Sequence, residues 1–322
     1  MAGLRVRRRR RRMAAFAAVL GLGVWGLVNL VGCLGPHQPS GRLPGDDMQL
    51  AFAHNGREIS VLAAGGGRAR RLTDEGQDPA WSPDGRQIAF SSGVIWKGDA
   101  DIWVVRADGT EKRNLTETPD FSESEPSWSP DGQKIAFYNY GIAVTGAGGG
   151  HRRRLTDEGQ APAWSPDGRQ IAFSSSFSSY GDHDYDIVIM KADGTGLRRL
   201  FLVRPAHEPS WSPDGRRIAF RGDGSIWVVA ADGSGLRRLT HRTENGPFDG
   251  EPAWAPDGKW IAFEREFVAP STYDSSSHHE IWLIRPDGTG LRRLLRGESG
   301  APAWRPRVTR LARVTSGEED RG

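Results

Sequence analysis

Residues 79–90 read Pro-Ala-Trp-Ser-Pro-Asp-Gly-Arg-Gln-Ile-Ala-Phe, and this stretch decides the fold because close copies of it recur along the chain. Each copy is anchored by a tryptophan, and successive anchors lie 36 to 50 residues apart, at Trp81, Trp128, Trp164, Trp211, Trp254 and Trp304. Four copies keep Trp-Ser-Pro-Asp-Gly, the fifth reads Trp-Ala-Pro-Asp-Gly and the sixth reads Trp-Arg-Pro. A period of this length indicates a repeat architecture in which each repeat is one supersecondary unit.

Each unit contains four short segments, A to D, that have the composition of β-strands. In one unit, segment A ends at Trp211, and segments B, C and D occupy residues 218–220, 226–229 and 236–240. The segments are β-branched or aromatic and are bounded by Gly, Pro or Asp, which is the strand signal. Ser-Pro-Asp-Gly forms a tight turn, because Pro pre-sets φ and Gly takes the left-handed position. The sequence therefore predicts an all-β fold, a six-bladed β-propeller with four antiparallel strands per blade.

The two ends of the repeat array complement each other. The array begins in the middle of a unit, with segments at 50–52, 59–62 and 70–73 that correspond to strands B, C and D. The missing strand A, with its tryptophan, occurs only at the other end, in Pro-Ala-Trp at residues 302–304. We expect the ring to close by pairing the N-terminal strands B–D with the C-terminal strand A, which removes the free sheet edges of an open array.

The repeat also resembles that of TolB-type β-propellers, which are similar to WD-repeat proteins. The matching motifs are Pro-x-Trp-Ser-Pro-Asp-Gly-x-x-Ile-Ala-Phe, Asp-Ile-Trp-Val, Ala-Asp-Gly-Thr-Gly and Arg-Arg-Leu-Thr, and together they cover nearly all of residues 49–305. The resemblance implies the same fold over this range. It does not by itself imply one function, since propellers host many activities.

The N-terminal segment has the pattern of an export signal. A run of arginines, residues 7–12, precedes an uncharged apolar stretch, residues 13–34. The end of this stretch, Leu-Val-Gly-Cys33, resembles a bacterial lipobox, which implies cleavage before Cys33 and lipid attachment to it. The alternative is an uncleaved transmembrane helix. Both interpretations make residues 1–33 a signal peptide or anchor and predict an extracytoplasmic protein on the bacterial cell membrane or outer membrane. Residues 34–48 are then a flexible linker.

Charge and cysteine content exclude several classes of function. The chain has 43 Lys and Arg against 40 Asp and Glu, but seven of the arginines lie in the first 32 residues. The remainder is therefore mildly acidic, which argues against a nucleic-acid partner. The single cysteine, Cys33, excludes a disulfide framework and a cysteine-based zinc site. Residues 306–322 are polar and charged and are predicted to be a disordered tail, and we expect the propeller to be monomeric.

The candidate binding site lies at the mouth of the central channel. Strand A is innermost in a propeller, so the residue three before each tryptophan is expected at the channel mouth, on the face that carries the D–A and B–C loops. These residues are Asp78, Glu125, Ala161, Glu208, Glu251 and Ala301. Four carboxylates on a ring could receive a basic side chain or peptide, or a cation such as Ca²⁺. Alternatively, each carboxylate caps a neighbouring N–H or pairs with an arginine. At least one of them should titrate above its ordinary pKa.

Aromatic residues in the long loops of the same face could anchor a partner. We select Trp96, Tyr180, Tyr185 and Tyr273, because function is usually carried on loops and aromatic side chains dominate binding energy. The favoured function is thus a membrane-anchored scaffold that binds a protein or peptide and needs no cofactor, apart from the Ca²⁺ considered above.

Two other functions remain open. Some lyases with similar Trp-Ser-Pro-Asp-Gly repeats hold a divalent metal with several histidines, and this resemblance implies a metal-dependent carbohydrate-active enzyme using His183, His207 and His278. No Gly-x-Ser-x-Gly elbow and no phosphate-binding glycine loop is present, so other enzyme classes are not indicated. The third hypothesis is a purely structural envelope protein.

Overall fold

The computed structural model describes residues 48–54, 57–65, 67–93, 99–118, 121–176, 185–200, 202–243, 246–268, 277–297 and 300–307. These residues form 24 strands and no helix, and the strands assemble into six antiparallel four-stranded sheets. The prediction of an all-β, six-bladed propeller is therefore confirmed. The described part of the chain holds no helix long and apolar enough to span a membrane. The predicted anchor, with Cys33, lies outside it.

The chain builds the blades in sequence order. The first blade contains β1 (Gln49–His54), β2 (Glu58–Ala63) and β3 (Arg70–Arg71). The second contains β4 (Gln77–Trp81), β5 (Gln87–Ser92), β6 (Asp101–Arg106) and β7 (Arg113–Asn114), and the third β8 (Ser124–Trp128), β9 (Lys134–Tyr138), β10 (Ile142–Gly146) and β11 (Arg153–Arg154). The fourth contains β12 (Gln160–Trp164), β13 (Gln170–Ser176), β14 (Tyr185–Lys191) and β15 (Arg198–Leu200). The fifth contains β16 (Ala206–Trp211), β17 (Arg217–Gly222), β18 (Ser225–Ala230) and β19 (Arg237–Arg238). The sixth contains β20 (Phe248–Trp254), β21 (Ile261–Val268), β22 (Ser277–Ile284) and β23 (Arg292–Leu295), and the last strand is β24 (Ala303–Trp304).

The first blade takes its strand A from the far end of the chain. Strand β24 pairs antiparallel with β1, with Leu50 opposite Trp304 and Ala51 opposite Ala303. The N–H of Arg305 donates to the carbonyl of Gln49 at 2.8 Å, which is the bond that closes the A–B turn in the other blades. The predicted pairing of N-terminal strands B–D with a C-terminal strand A is thus confirmed, and no blade is left with an open inner edge.

The Ser-Pro-Asp-Gly turn is held by its own side chains. In the second blade, the Ser82 hydroxyl donates to Oδ1 of Asp84 at 2.6 Å, and the N–H of Gly85 donates to the Ser82 carbonyl at 2.8 Å. Gly85 has a φ of 65°, a conformation that favours glycine. The same serine–aspartate bond occurs in the third, fourth and fifth blades. The repeated motif therefore encodes the turn between strands A and B.

The core lies between the blades. The six phenylalanines of the repeated strand B are almost fully buried: Phe52, Phe90, Phe137, Phe173, Phe220 and Phe263. Apolar clusters combine residues of two neighbouring blades, as where Trp211 and Phe220 of the fifth pack with Ile187 of the fourth. The indole N–H groups of Trp128, Trp211 and Trp304 donate to carbonyls of the preceding blade at 3.1–3.2 Å. The tryptophan anchor thus joins consecutive blades.

Arginines of strand D join the blades again at the outer rim. In five blades the first arginine of strand D donates to a carbonyl in the C–D turn of the next blade: Arg70, Arg113, Arg153, Arg198 and Arg237. Contacts between blades therefore explain the first arginine of strand D, whereas the second bonds within its own blade, as Arg71 does to Glu58 and Arg238 to Ser225.

Candidate functional site

A break in strand A places one residue of each blade at the channel. The pairing of strands A and B skips two residues in blades two to six, for example between Gln77 and Ala80. The second skipped residue is a proline, which has no N–H to pair with strand B. The first skipped residue, together with its equivalent in the first blade, has a positive φ of 37–56°: Asp78, Glu125, Ala161, Glu208, Glu251 and Ala301.

These six residues, with the prolines that follow them, line one cavity of about 200 Å³. The sequence-based placement of Asp78, Glu125, Glu208 and Glu251 at a common channel mouth therefore agrees with the structure. We call this set of four carboxylates the acidic ring.

Each carboxylate of the acidic ring accepts a hydrogen bond from the next blade. Glu125 accepts from the N–H of Ala161 at 2.7 Å, and Glu208 accepts from the N–H of Glu251 at 2.7 Å. Asp78 and Glu251 accept from the equivalent amides of the third and first blades. The capping alternative thus describes one role of these side chains. Within the described residues, however, Oδ1 of Asp78 and Oε1 of Glu125 accept no hydrogen bond.

Two carboxyls of the acidic ring hold their protons unusually tightly. Burial raises the pKa of Glu125 to about 8, and the nearby charge of Asp78 adds to the effect. Burial likewise raises the pKa of Asp78, although a hydrogen bond from Ser91 opposes it. The expectation of at least one raised pKa is confirmed, since the channel mouth offers these groups little water to stabilise their charge.

The other two carboxyls have charged neighbours on strand B. Burial raises the pKa of Glu208, and Arg221, whose guanidinium lies 2.9 Å from it, opposes the shift. Burial and the charge of Glu264 raise the pKa of Glu251 well above its ordinary value. Burial alone would raise the pKa of Glu264, but hydrogen bonds from His279 and Glu251 outweigh it and lower the pKa. In this pair of neighbouring carboxyls, Glu251 therefore binds a proton more tightly than Glu264 does.

Sequence reasoning missed the strand B residues that serve the acidic ring. They occupy the position directly after Ile-Ala-Phe: Ser91, Ser174, Arg221 and Glu264. Ser91 donates to Asp78, and the hydroxyl of Ser174 accepts the Glu208 N–H, where the alanine at position 161 supplies no carboxylate. The signal was available in the sequence, because this position varies between blades, while the three residues before it read Ile-Ala-Phe in five blades and Leu-Ala-Phe in the first.

The structure reveals an aromatic patch that the sequence analysis did not select. Phe121 and Tyr140 lie 6.3 Å apart, and Tyr138 lies 6.1 Å from Tyr140. Phe121 and Tyr140 are 40% and 54% exposed, which is unusual for large apolar rings. Burial raises the pKa of Tyr138, with a contribution from the charge of Glu125, so the patch adjoins the acidic ring. Its sequence signal is the Tyr-Asn-Tyr-Gly connection between strands B and C of the third blade.

Only one of the selected aromatic anchors falls on described residues. Tyr185 begins β14, is half-buried, and its ring lies 4.5 Å from that of His207. The other three, Trp96, Tyr180 and Tyr273, lie outside the described residues.

The histidines of the metal hypothesis do not form a cluster in the described chain. Nδ1 of His207 lies 3.4 Å from the side-chain amide of Gln160, and His278 stacks on Phe267 at 4.7 Å. His183 lies outside the described residues. Among those described, no group of three His, Cys, Asp or Glu side chains is arranged to hold a metal ion.

Comparison with known proteins agrees with this architecture. The TolB beta propeller domain family model matches residues 151–266. The curated Tol-Pal system protein TolB 1 of Novosphingobium aromaticivorans is 40% identical over 77 residues, which are 23% of this chain and 17% of the relative's own length.

Solved structures extend the likeness across the propeller. A protein from Agrobacterium tumefaciens assigned as TolB superposes with a TM-score of 0.60 at 22% identity, covering 81% of this chain and 98% of that one. A chain of the nidogen/laminin complex superposes with a TM-score of 0.63 at 12% identity, covering 80% and 98%. At these identities the superpositions show the fold alone. Together with the repeat motifs, they show a six-bladed β-propeller, of which residues 151–266 match the TolB beta propeller domain family.

Proposed function

We propose that this propeller is a binding scaffold for a protein segment that presents basic side chains, and that it performs no reaction of its own. The segment binds on the face of the D–A and B–C loops, with its cationic groups at the acidic ring. The aromatic patch, together with Tyr185 and the loop residues Trp96, Tyr180 and Tyr273, contributes apolar contacts.

The observation that carries this proposal is the state of the acidic ring. Four carboxyls share a cavity of about 200 Å³, and two of them keep an oxygen without a hydrogen-bond donor among the described residues. Burial raises the pKa of each of the four. A lysine or arginine at the mouth would supply the missing donors and favour the ionised carboxylates, so binding should release protons.

The aromatic patch supports a protein ligand over a lone cation. Aromatic rings beside a polar pocket are typical of binding hot spots, where they exclude water from charged contacts. The guanidinium of Arg152 lies 5.4 Å from the Phe121 ring, which shows that this patch already accommodates a cationic group on an aromatic face.

The name of the curated relative gives independent support for a protein partner, because that protein is described as part of the Tol-Pal system. We further propose that the chain works in the bacterial envelope, as a monomer held at a membrane through residues 1–33. Cys33 is the proposed site of lipid attachment.

The proposal is tested with the full chain and a fluorescent peptide of alternating lysine and tryptophan. We expect the double variant E125Q/E208Q to bind it at least tenfold more weakly than the wild type, measured by fluorescence polarisation. Glutamine keeps an acceptor for the amides of Ala161 and Glu251 but removes the charge. Calorimetry in buffers of different ionisation enthalpy should show proton release for the wild type only.

The matched control is E111Q/E117Q, which removes two exposed carboxylates of the second blade and leaves the acidic ring intact. If E125Q/E208Q and this control bind the peptide with equal affinity, the proposal is contradicted, and a purely structural role of the acidic ring is favoured. Adding Ca²⁺ as a competitor tests whether the ring takes a cation instead. Displacement of the peptide by Ca²⁺, with no displacement by Mg²⁺, would identify a calcium site.

A further inference from the structure

A second cleft lies on the opposite face of the propeller, where the A–B and C–D turns are. It is formed between the fifth and sixth blades, has a volume of about 380 Å³ and is lined by Arg217, Arg237, Lys259, Arg285, Pro286 and Asp287. Arg217 begins β17 and Arg237 lies in β19, while Lys259 belongs to the A–B turn of the sixth blade and Arg285 directly follows β22. We call these four cationic side chains the basic cleft.

The positive charge of the basic cleft is poorly compensated. Asp287 is the one acid among its lining residues, and its carboxylate accepts hydrogen bonds from the N–H and hydroxyl of Thr289 at 2.9 and 2.6 Å. Arg237 donates to the backbone carbonyl of Asp287. Within the described residues, neither Arg217, Lys259 nor Arg285 forms an ion pair. Four cations therefore share the cleft with one lining carboxylate, Asp287, whose pKa is lowered by hydrogen bonds from Thr289 and, to a smaller extent, by the charges of Arg285 and Arg237.

Indole rings hold the two unpaired guanidinium groups in place. Arg217 lies 4.8 Å from the ring of Trp254, and Arg285 lies 5.1 Å from the ring of Trp260. Arg292 lies 4.3 Å from the same Trp260 ring, and its burial and the charge of Arg285 lower its pKa. A guanidinium stacked on an aromatic ring keeps its N–H groups available in its own plane, which suits bidentate binding of an oxyanion.

The repeat itself does not require these charges. Glutamine stands at the position of Arg217 in the second and fourth blades, as Gln87 and Gln170. Alanine stands at the position of Arg285 in the fifth blade, as Ala230. The fold therefore forms without a cation at either position. The third and fourth blades carry cations at the four equivalent positions, as Lys134, Arg153, Arg169 and Lys191, but lysines there replace Arg217 and Arg285, and Gln170 replaces Trp260.

We propose that the basic cleft binds a phosphate-bearing anion. Four cations around about 380 Å³ match the charge and size of a phosphate monoester or diester and its nearest substituents. The group could belong to a soluble phosphate compound or to an anionic lipid headgroup. Gln49 lies on this same face, so the predicted anchor and linker join the propeller there, which brings the headgroup source into consideration. This site is independent of the acidic ring and of its partner.

Calorimetric titration of the full chain in detergent at low ionic strength tests the proposal. The probes are pyrophosphate, for the soluble source, and dihexanoyl phosphatidylglycerol, for the lipid source, with the phosphatidylcholine analogue as the neutral reference. We expect at least one of the two anionic probes to bind the wild type, and R217Q/R285A to weaken that binding tenfold or more. Both substitutions introduce residues that the repeat already carries at these positions, so the variant should fold.

The control is R57Q/R68A, which removes the same net charge from two exposed arginines of the first blade, away from the basic cleft. Binding that survives in this control and is lost in R217Q/R285A supports the basic cleft, and the probe that binds identifies the source. The proposal is overturned if neither anionic probe binds the wild type, or if both double variants weaken binding equally, since general surface charge would then explain the affinity.

Discussion

Replacing Trp304 by alanine is expected to destabilise the propeller by about 3–5 kcal/mol, the usual cost of truncating a buried aromatic residue. Trp304 is 7% exposed and packs with Met48, Leu50, Phe52 and other residues of the first and sixth blades. Its indole N–H also donates to the carbonyl of Ala253 at 3.2 Å. Since β24 has only two residues, Trp304 is its one large apolar side chain, and its loss leaves the closure to the β1–β24 pairing and to hydrogen bonds such as those of Arg305. The melting temperature should fall by roughly 10 °C.

The matched control is W128A, because Trp128 occupies the same repeat position and makes the same type of indole hydrogen bond, at 3.1 Å. Trp128 is only partly buried and lies in a blade whose four strands are consecutive in the chain. Its replacement should therefore cost less. If thermal melts show W304A to be no less stable than W128A, closure by β24 is not a weak point of the ring.

The wild-type propeller should lose stability as the pH rises from about 5 to 8.5, and E125Q should lose less, although the raised pKa values of Asp78, Glu208 and Glu251 remain in the variant. Burial raises the pKa of Glu125 from 4.5 to about 8 in the folded protein. A raised pKa means that the folded state keeps a proton which the unfolded chain releases in this range. The stabilisation is therefore complete below the unfolded pKa and is lost as the pH rises through the folded pKa. The full shift in pKa corresponds to about 5 kcal/mol of stability. Because the side chain is partly open to the channel, solvent screening reduces this value, and the loss attributable to Glu125 is about 2–5 kcal/mol.

The measurement is the difference in free energy of unfolding between wild type and E125Q at several pH values, with E117Q as an exposed-carboxylate control. His279, whose pKa is raised by its hydrogen bond to Glu264, contributes with the same sign in both proteins and cancels in the difference. E125Q should equal or exceed the wild type at pH 8 and fall below it at pH 5. A difference that does not change with pH would show that Glu125 ionises normally.

The sequence was sufficient to predict the fold because each turn and strand depends on residues that are close together in the chain. Ser82, Asp84 and Gly85 make the turn through bonds among themselves, and the same residues repeat in other blades. The placement of Asp78 and Glu125 at the channel followed from counting back from the tryptophan, since strand A has one geometry in all blades. Ring closure was predicted because the repeat array lacks a strand A at its N-terminal end and has an additional strand A at its C-terminal end.

The parts that were missed depend on contacts between segments that the repeat does not specify. The pairing of Glu251 with Glu264 and His279 joins strands A, B and C of one blade, and no residue spacing in the sequence predicts it. The aromatic patch combines Phe121, from a D–A connection, with Tyr138, at the end of strand B, and Tyr140, from the B–C connection that follows it. The basic cleft combines turns of two blades. Each arises from residues at variable repeat positions, whose neighbours are known only once the blades are assembled.

The pairing of β1 with β24 also sets the order in which a newly made chain can fold. Leu50 and its partner Trp304 are about 250 residues apart in the sequence, so β1 must wait on the order of ten to fifty seconds of synthesis for its inner neighbour. During that time the first blade exposes an unpaired strand edge and the apolar side chains that Trp304 will cover, which is a hazard for association with other chains. Nascent chains arrested before residue 300 should therefore remain protease-sensitive in the first blade while the middle blades are already protected. The last strand to be translated therefore completes the first blade, and until it is made the incomplete ring exposes a surface through which it can associate with other chains.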